Sequence, residues 1–270
     1  MDLAHLILYF LIAAAAGLIG GMLGGGIGLI LVPLLIWILK VKGVSSQILM
    51  HVAIGSEVAA IILIGTIACY SHQRRQAISW TMFKRMLPGL LVGIVIGALF
   101  AGKLTSQHLI LIFGIVVLLL AVYVGFVPDP APKPVRSLHP AAAFVASFLF
   151  GMGGSVLGIN SFTVPFFKKI GLNIYNAVAT ALAIGVVLAT GVTIMFIIIG
   201  WHAQGLPQYS TGYVDWEISI PIAIAGSIFS PLGAKLTHHV PKKFLKLLYA
   251  LLLAILGIKM VLISTIFTQL

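Results

Sequence analysis

Charge and sulfur are what this sequence of 270 residues has least of. Only 8% of the residues are charged, against about 25% in an average soluble domain. So few charges cannot furnish a water-facing surface, and most of the surface must therefore meet lipid. Acids are the scarcest group, five against sixteen Lys and Arg. The single cysteine, Cys69, excludes an intramolecular disulfide and a thiolate metal cluster. No Walker A run, HExxH pair or GxSxG elbow is present. The N-terminus, MDLAHLILYF, lacks the basic region of a cleaved signal and is expected to open the first helix.

What is present is apolar: 61% of the residues are hydrophobic and the mean hydropathy is +1.19. The length allows about ten spans of ~20 residues with short loops and leaves no room for a separate soluble domain. The net charge of +11 does not point to nucleic acid, because Lys and Arg fall in short runs between apolar stretches, the pattern that orients a membrane protein.

Ten apolar segments are predicted, at 5–22, 27–39, 47–70, 86–101, 107–127, 139–152, 155–167, 174–200, 217–234 and 244–267. The second, sixth and seventh would reach only ~20 Å, short of a ~30 Å hydrocarbon core, and are expected to be half-helices that turn inside the membrane. If each segment reverses the chain, twelve Lys and Arg (Arg74, Arg75, Lys84, Arg85, Lys133, Arg136, Lys168, Lys169, Lys235, Lys242, Lys243, Lys246) fall on one side. Three, Lys40, Lys42 and Lys103, fall on the other. This split places both termini outside the cytoplasm of a plasma or inner membrane. Trp37, Trp80, Trp201 and Trp216 fall near segment ends, as an aromatic belt requires. The stretch 71-SHQRRQAISWTMFKRM-86 is expected to be an interfacial helix.

The proline-rich stretch 128-PDPAPKPVRSLHP-140 reads as a linker between a first repeat at 1–127 and a second at 141–270. In the first, 20-GGMLGGGIGLILVPLL-35 is matched by 151-GMGGSVLGINSFTVPFF-167 in the second, and Pro88 and Gly93 by Pro221 and Gly226. Five segments per half is odd, so the second half would enter upside down, the inverted-repeat plan of many transporters. The fold class expected is an all-α polytopic membrane protein of two inverted repeats, with glycine-broken re-entrant helices meeting near the midplane.

Glycine weakens a helix interior by about 1 kcal/mol. A short helix after such a break presents unpaired N–H groups and a positive dipole end, which suit an anion. The expected substrate contacts are Gly24, Gly25, Gly26 and Gly28 in the first half. In the second they are Gly153, Gly154, Ser155, Gly158, Asn160, Ser161, Thr163 and Thr180, with Pro33 and Pro165 structural. The competing reading is that these glycines only let helices pack closely. Glu57 is the only carboxylate within a predicted span; it is either a proton-coupling group, with His51 six residues earlier, or a protonated side chain bonded to a neighbouring helix. Lys259 is expected to snorkel outward or to pair with Glu57, Cys69 to pack, and His72, Arg74 and Arg75 to line a basic vestibule.

The order of these motifs resembles the TauE/SafE family of sulfite and organosulfonate exporters. The likeness rests on 24-GGGIGLILVPLL-35, 151-GMGGSVLGINSFTVP-165, 176-NAVATAL-182, 78-ISW-80 with Pro88 and 97-GALFAGKL-104, and 214-VDW-216 with Pro221 and 233-GAKL-236. It covers nearly the whole chain. Two stretches depart: Met50-His51-Val52 stands where the family has Gly-Thr-Ser, and the second half has Gly153-Gly154-Ser155 and Gly158-Ile159-Asn160 in place of an unbroken glycine run. The resemblance implies export of sulfite, a sulfonate or a related sulfur oxyanion, whereas spacing and composition indicate only a small-anion site. An anion channel or importer of the same fold, for example for thiosulfate, is the alternative. An intramembrane enzyme would need clustered ligands or an acid pair at membrane depth, and Glu57 alone supplies neither. A membrane scaffold without transport is a further alternative. The expected partners are a small anion and the bilayer, not nucleic acid; no cofactor or metal is expected, and homo-oligomerisation is left open.

Overall fold

In the lipid-facing regime set by the composition, backbone polar groups must be satisfied within the segment itself, and helices do this. The computed structural model describes residues 3–22, 27–127, 138–158, 160–236 and 242–266, and these are almost wholly helical. The order is α1 (Leu3–Met22), α2 (Ile27–Val41), α3 (Leu49–Gln73), α4 (Trp80–Lys103), α5 (Ser106–Phe126), α6 (Pro140–Leu157), α7 (Thr163–Lys169), α8 (Ile174–Gly200), α9 (Trp216–Leu236) and α10 (Lys242–Ile266). A small antiparallel hairpin, β1 (Ser210–Thr211) and β2 (Val214–Asp215), precedes α9. Seven helices are long and apolar enough to cross a membrane: α3, α4, α5, α6, α8, α9 and α10. The protein is thus an all-α polytopic membrane protein.

Local sequence sets the helix starts. Thr105 accepts from the His108 amide, Asn173 from the Asn176 amide, and His139 from the Ala141 amide with Pro140 at the first helical position. Trp80 and Trp216 open α4 and α9, and Trp201 caps α8.

The centre is α3. Its residues from Leu49 to Ala60 are all buried, so helices surround its first half on every side. α8 lies antiparallel to it, with Gly55 against Phe196 and Gly65 against Val186. α4 and α6 run parallel and close, Gly89 against the Phe144 backbone and the Ser147 hydroxyl, and Gly93 against the Phe148 backbone. α5 pairs with α10 and α1 with α9, where an added Cβ on Gly17 would stand 3.2 Å from the Gly226 Cα. The outer faces are apolar, as on α4 with Leu91, Val95, Leu99 and Phe100 exposed.

Three sequence expectations need correction. The stretch 71–86 is not one interfacial helix: α3 continues to Gln73, a turn with Gln76 at a positive φ of 51° follows, and α4 begins at Trp80. The sixth segment is an 18-residue helix rather than a half-helix, and the seventh is only seven residues long. The second break therefore lies at Gly158, not at Gly151–Gly154. Gly151 and Gly154 stay helical because they serve packing: Gly151 abuts the α4 backbone at Leu90 and Ile94, and Gly154 abuts Leu188.

Candidate functional site

Two glycine-bearing breaks meet around one carboxyl group. α2 begins at Ile27, and an added Cβ on Gly28 would overlap Glu57 Oε1 and stand 2.8 Å from the Gly158 carbonyl oxygen. Gly158 ends α6 in a left-handed conformation, φ 69°, and a Cβ there would lie 3.0 Å from Glu57 Oε2. Only glycine fits either position: the first for space, the second for backbone conformation as well. Glu57 itself is fully buried on α3, and neither carboxylate oxygen has a hydrogen-bond partner among the described residues. Ile54 and Val32 stand on the same side of Gly158 as the carboxyl. The carboxyl thus sits between the positive N-terminal end of the 15-residue α2 and the carbonyl end of α6.

The remaining residues singled out from sequence fall into three groups. Gly24, Gly25 and Gly26 lie outside the described residues. Gly153, Gly154, Asn160 and Thr163 line a cavity of about 50 Å³ with Leu149, Phe150, Leu157 and Phe162. Its polar side chains are engaged, Asn160 Nδ2 donating to the Ala181 carbonyl at 3.0 Å and Thr163 donating to Asn160 Oδ1; nearby on α6, Ser155 donates to the Ile94 and Gly151 carbonyls. These bonds tie the second break to α8 and α4. Ser161 Oγ, near Tyr249 of α10, is buried without a hydrogen-bond partner among the described residues. Pro33 lies inside α2 and Pro165 inside α7.

Two residues stand away from the crossing. Thr180 Oγ1 accepts from the Ser79 amide at 3.0 Å and so caps the start of α4. His51 Nε2 meets the Ala101 carbonyl at 3.0 Å and Nδ1 meets Ser106 Oγ at 3.3 Å, while its ring lies 4.9 Å from that of Tyr213. These contacts turn its imidazole to the α4–α5 turn, and none of them reaches Glu57. Lys259 lines a groove with Trp37 and Lys40 between α2 and α10, not the Glu57 site. Cys69 packs on Ile78, Ala179 and Ala183.

A second ionic feature escaped the sequence. Lys42, just past α2, reaches Asp215 and Glu217 at 2.9 Å each. Asp215 is fully buried; its amide donates to Ser56 Oγ, and Ser219 Oγ donates both to its carbonyl and to that of Ser56. Burial opposes the Lys42 charge, but hydrogen bonds to Asp215 and Glu217 outweigh it and raise the ammonium above its usual value. The Ser56 contact links this cluster to the residue next to Glu57. The pairing spans more than 170 positions and has no local signal. A clue lay in the scarcity of acids, two of which stand at the start of one helix.

The described cations sort by end. Arg85 reaches the Leu138 carbonyl and Lys246 the Val127 carbonyl at the end that also carries Arg74, Arg75, Lys168 and Lys169. Lys42 and Lys103 lie at the opposite end with Asp215 and Glu217. No group of His, Cys, Asp and Glu suited to a metal occurs among the described residues.

Comparison with known proteins agrees with this architecture. The family model "Sulfite exporter TauE/SafE" matches residues 9–260. A "probable membrane transporter protein" of Haemophilus influenzae is 30% identical over 257 residues, covering 94% of this chain and 97% of that protein. One from Methanocaldococcus jannaschii is 23% identical over 264 residues, covering 94% and 95%, and one from Bacillus subtilis is 24% identical over 268 residues, covering 93% and 98%. No solved structure matches the chain. A polytopic helical bundle with a family match over nearly its full length leaves one assignment: the chain belongs to the TauE/SafE sulfite exporter family.

Proposed function

We propose that this protein is a secondary transporter that exports a small sulfur-containing anion, sulfite or an organosulfonate, through the crossing of the two glycine breaks. One observation carries the reading: the buried Glu57 carboxyl lies against Gly28 and Gly158, without a hydrogen-bond partner among the described residues, where the α2 N-terminus opens. The α2 end supplies backbone donors and a positive dipole to the anion. Gly28 forms the first wall, with Gly24, Gly25 and Gly26, outside the described residues, as further proposed substrate contacts, and Gly158, Asn160 and Ser161 form the second. Gly154, Ser155 and Thr163 hold the second wall in place, and Gly153 lines the cavity beside it. Binding by dipoles rather than by a buried Lys or Arg favours release on the far side. Glu57 is the coupling group. His51, bonded to the α4–α5 turn, serves coupling only through the position of α3.

The carrier reading draws on a two-fold pattern in the packing. Replacing each helix by its counterpart five places along turns the α1–α9 pair into α6–α4 and the α3–α9 pair into α8–α4. It leaves the α3–α8 and α5–α10 pairs unchanged. That pattern fits halves at 1–127 and 141–270 inserted in opposite senses and rocking about a shared midplane site. The charge split puts the basic end in the cytoplasm and both termini outside the plasma or inner membrane.

The test is flux in liposomes holding purified protein, with sulfite, sulfate, thiosulfate and methanesulfonate as probes. Saturable flux of a sulfur oxyanion or sulfonate that is lost in Gly28→Leu supports the reading. Flux of all four at a variant-independent rate contradicts the site, and conductance without saturation identifies a channel.

A further inference from the structure

We infer that each anion crosses together with one proton carried on Glu57, so that the coupling is symport and not exchange. The inference rests on the transport reading above and fixes the sign of its coupling. Its basis is that the proton site and the proposed anion site are the same place. Glu57 Oε1 lies against Gly28, in the first turn of α2, and Oε2 lies against Gly158, so an anion held at the α2 end would touch the carboxyl directly.

Among the described residues, the glycines that meet the Glu57 carboxyl are Gly28 of α2 and Gly158 at the end of α6, with Val32 of α2 and Ile54 of α3 beside Gly158, and none of these four is ionisable. The residues of the two breaks that lie outside the described set, Leu23 to Gly26 and Ile159, have no ionisable side chain. The other ionisable groups of the interior are directed elsewhere. His51 bonds Ala101 and meets Ser106, Asp215 is paired with Lys42, and Tyr249 lies near Ser161. No donor reaches either Glu57 oxygen among the described residues.

Two negative charges in contact at membrane depth, with no cation between them, repel strongly in a low-dielectric setting. The anion therefore enters only when Glu57 carries a proton. In that state the carboxyl becomes a donor and bonds the anion, adding to the α2 amides. The proton comes from water on the loading side, forms the O–H bond on Glu57, and is released to water on the far side after the anion leaves. No other bond changes. The loaded site, neutral Glu57 with a monoanion, and the empty site, charged Glu57 alone, carry the same net charge. Exchange would need the anion bound to the charged carboxylate, the one state the geometry opposes. The physiological consequence is that a sulfur oxyanion produced inside is exported down its own concentration gradient together with a proton, and a steep inward proton gradient opposes that export.

The experiment uses the full-length protein in liposomes with an internal pH dye and the membrane potential clamped. The probes are methanesulfonate and thiosulfate, whose charge is constant between about pH 5 and 9. An inward gradient of either probe should acidify the lumen, with one proton entering per anion. Binding of either probe to detergent-purified protein should weaken by up to about tenfold per pH unit as Glu57 gives up its proton. Glu57→Gln, a neutral donor of the same shape, should bind the probes with no pH dependence and equilibrate them without moving protons. Alkalinisation of the lumen, or anion flux with no proton movement in the wild type, would overturn symport while leaving the site reading intact. No binding of these probes or of sulfite at any pH by the folded wild-type protein would sink the site reading and this inference together.

Discussion

The two glycine-bearing breaks look alike in sequence and differ in what surrounds them. The first opens a 15-residue helix whose start faces a carboxyl without a hydrogen-bond partner among the described residues. The second opens a helix of seven residues, and most of its polar side chains are already bonded, Asn160 to Ala181, Thr163 to Asn160 and Ser155 to Ile94, with Ser161 Oγ the exception. The difference separates chemistry from scaffold. The first break sets a helix start against the Glu57 carboxyl, whereas the second supplies a left-handed turn at Gly158 that closes the space from the other side. The cavity of about 50 Å³ at the second break is lined by groups that have little left to offer a ligand. A matched pair of motifs therefore need not be a matched pair of sites.

Substitutions can break this comparison, and the largest effect is expected at Gly28. Gly28→Ala should lower transport by about a hundredfold, because its Cβ has both Glu57 and the Gly158 backbone in the way. The rate of sulfite flux per folded protein measures it, and near-normal flux would remove the first break from the site. Gly158→Ala should follow. Its left-handed backbone makes the substitution unfavourable by about 1 kcal/mol, and its Cβ would crowd Glu57 Oε2, so both melting temperature and flux should fall. A drop in stability with flux unchanged would leave Gly158 a cap only.

Smaller effects are expected where the hydroxyls are already bonded. Thr180→Val should cost about 1 kcal/mol by leaving the Ser79 amide unpaired, as loss of a helix cap does. Its effect on substrate affinity should be within about twofold. A large change in affinity would restore Thr180 to the site. Gly153→Ala should have the least effect, since nothing stands within 4 Å of the added Cβ. It should stabilise α6 by up to about 1 kcal/mol, read from thermal unfolding in detergent, with flux unchanged.

Much of this fold is written in hydropathy. All ten apolar segments correspond to helices, because in lipid a long apolar run has no other way to satisfy its backbone. The limits that missed at α6 and α7 missed for one reason. Glycine marks both helix breaks and helix contacts, and the sequence around Gly151, Gly153 and Gly154 does not say which. The answer lies in α4, whose Leu90 and Ile94 press on Gly151. The turn at Gln76 was hidden by a basic and aromatic run that fits an interfacial helix equally well.

The site was legible in its parts and not in its assembly. Glu57 stood out because an acid inside a span is costly. That it lies against Gly28 and Gly158 depends on the packing of α2, α3 and α6, which no spacing along the chain encodes. His51 shows the reverse. Its nearness to Glu57 in sequence suggested partnership, but six residues along a helix separate the two side chains, and the imidazole turns to Ala101 and Ser106. The Lys42 cluster was out of reach of any local pattern.

The central claim is that the anion binds at the crossing of the two breaks, beside Glu57. The most direct measurement is an experimental structure of the protein in lipid with thiosulfate bound. Sulfur density within hydrogen-bonding distance of the α2 amides and the Glu57 carboxyl is the result this account predicts. Sulfur density confined to the basic end near Arg74 and Arg75, or to the Lys40 and Lys259 groove, with the space beside Gly28 filled by protein alone, would contradict it.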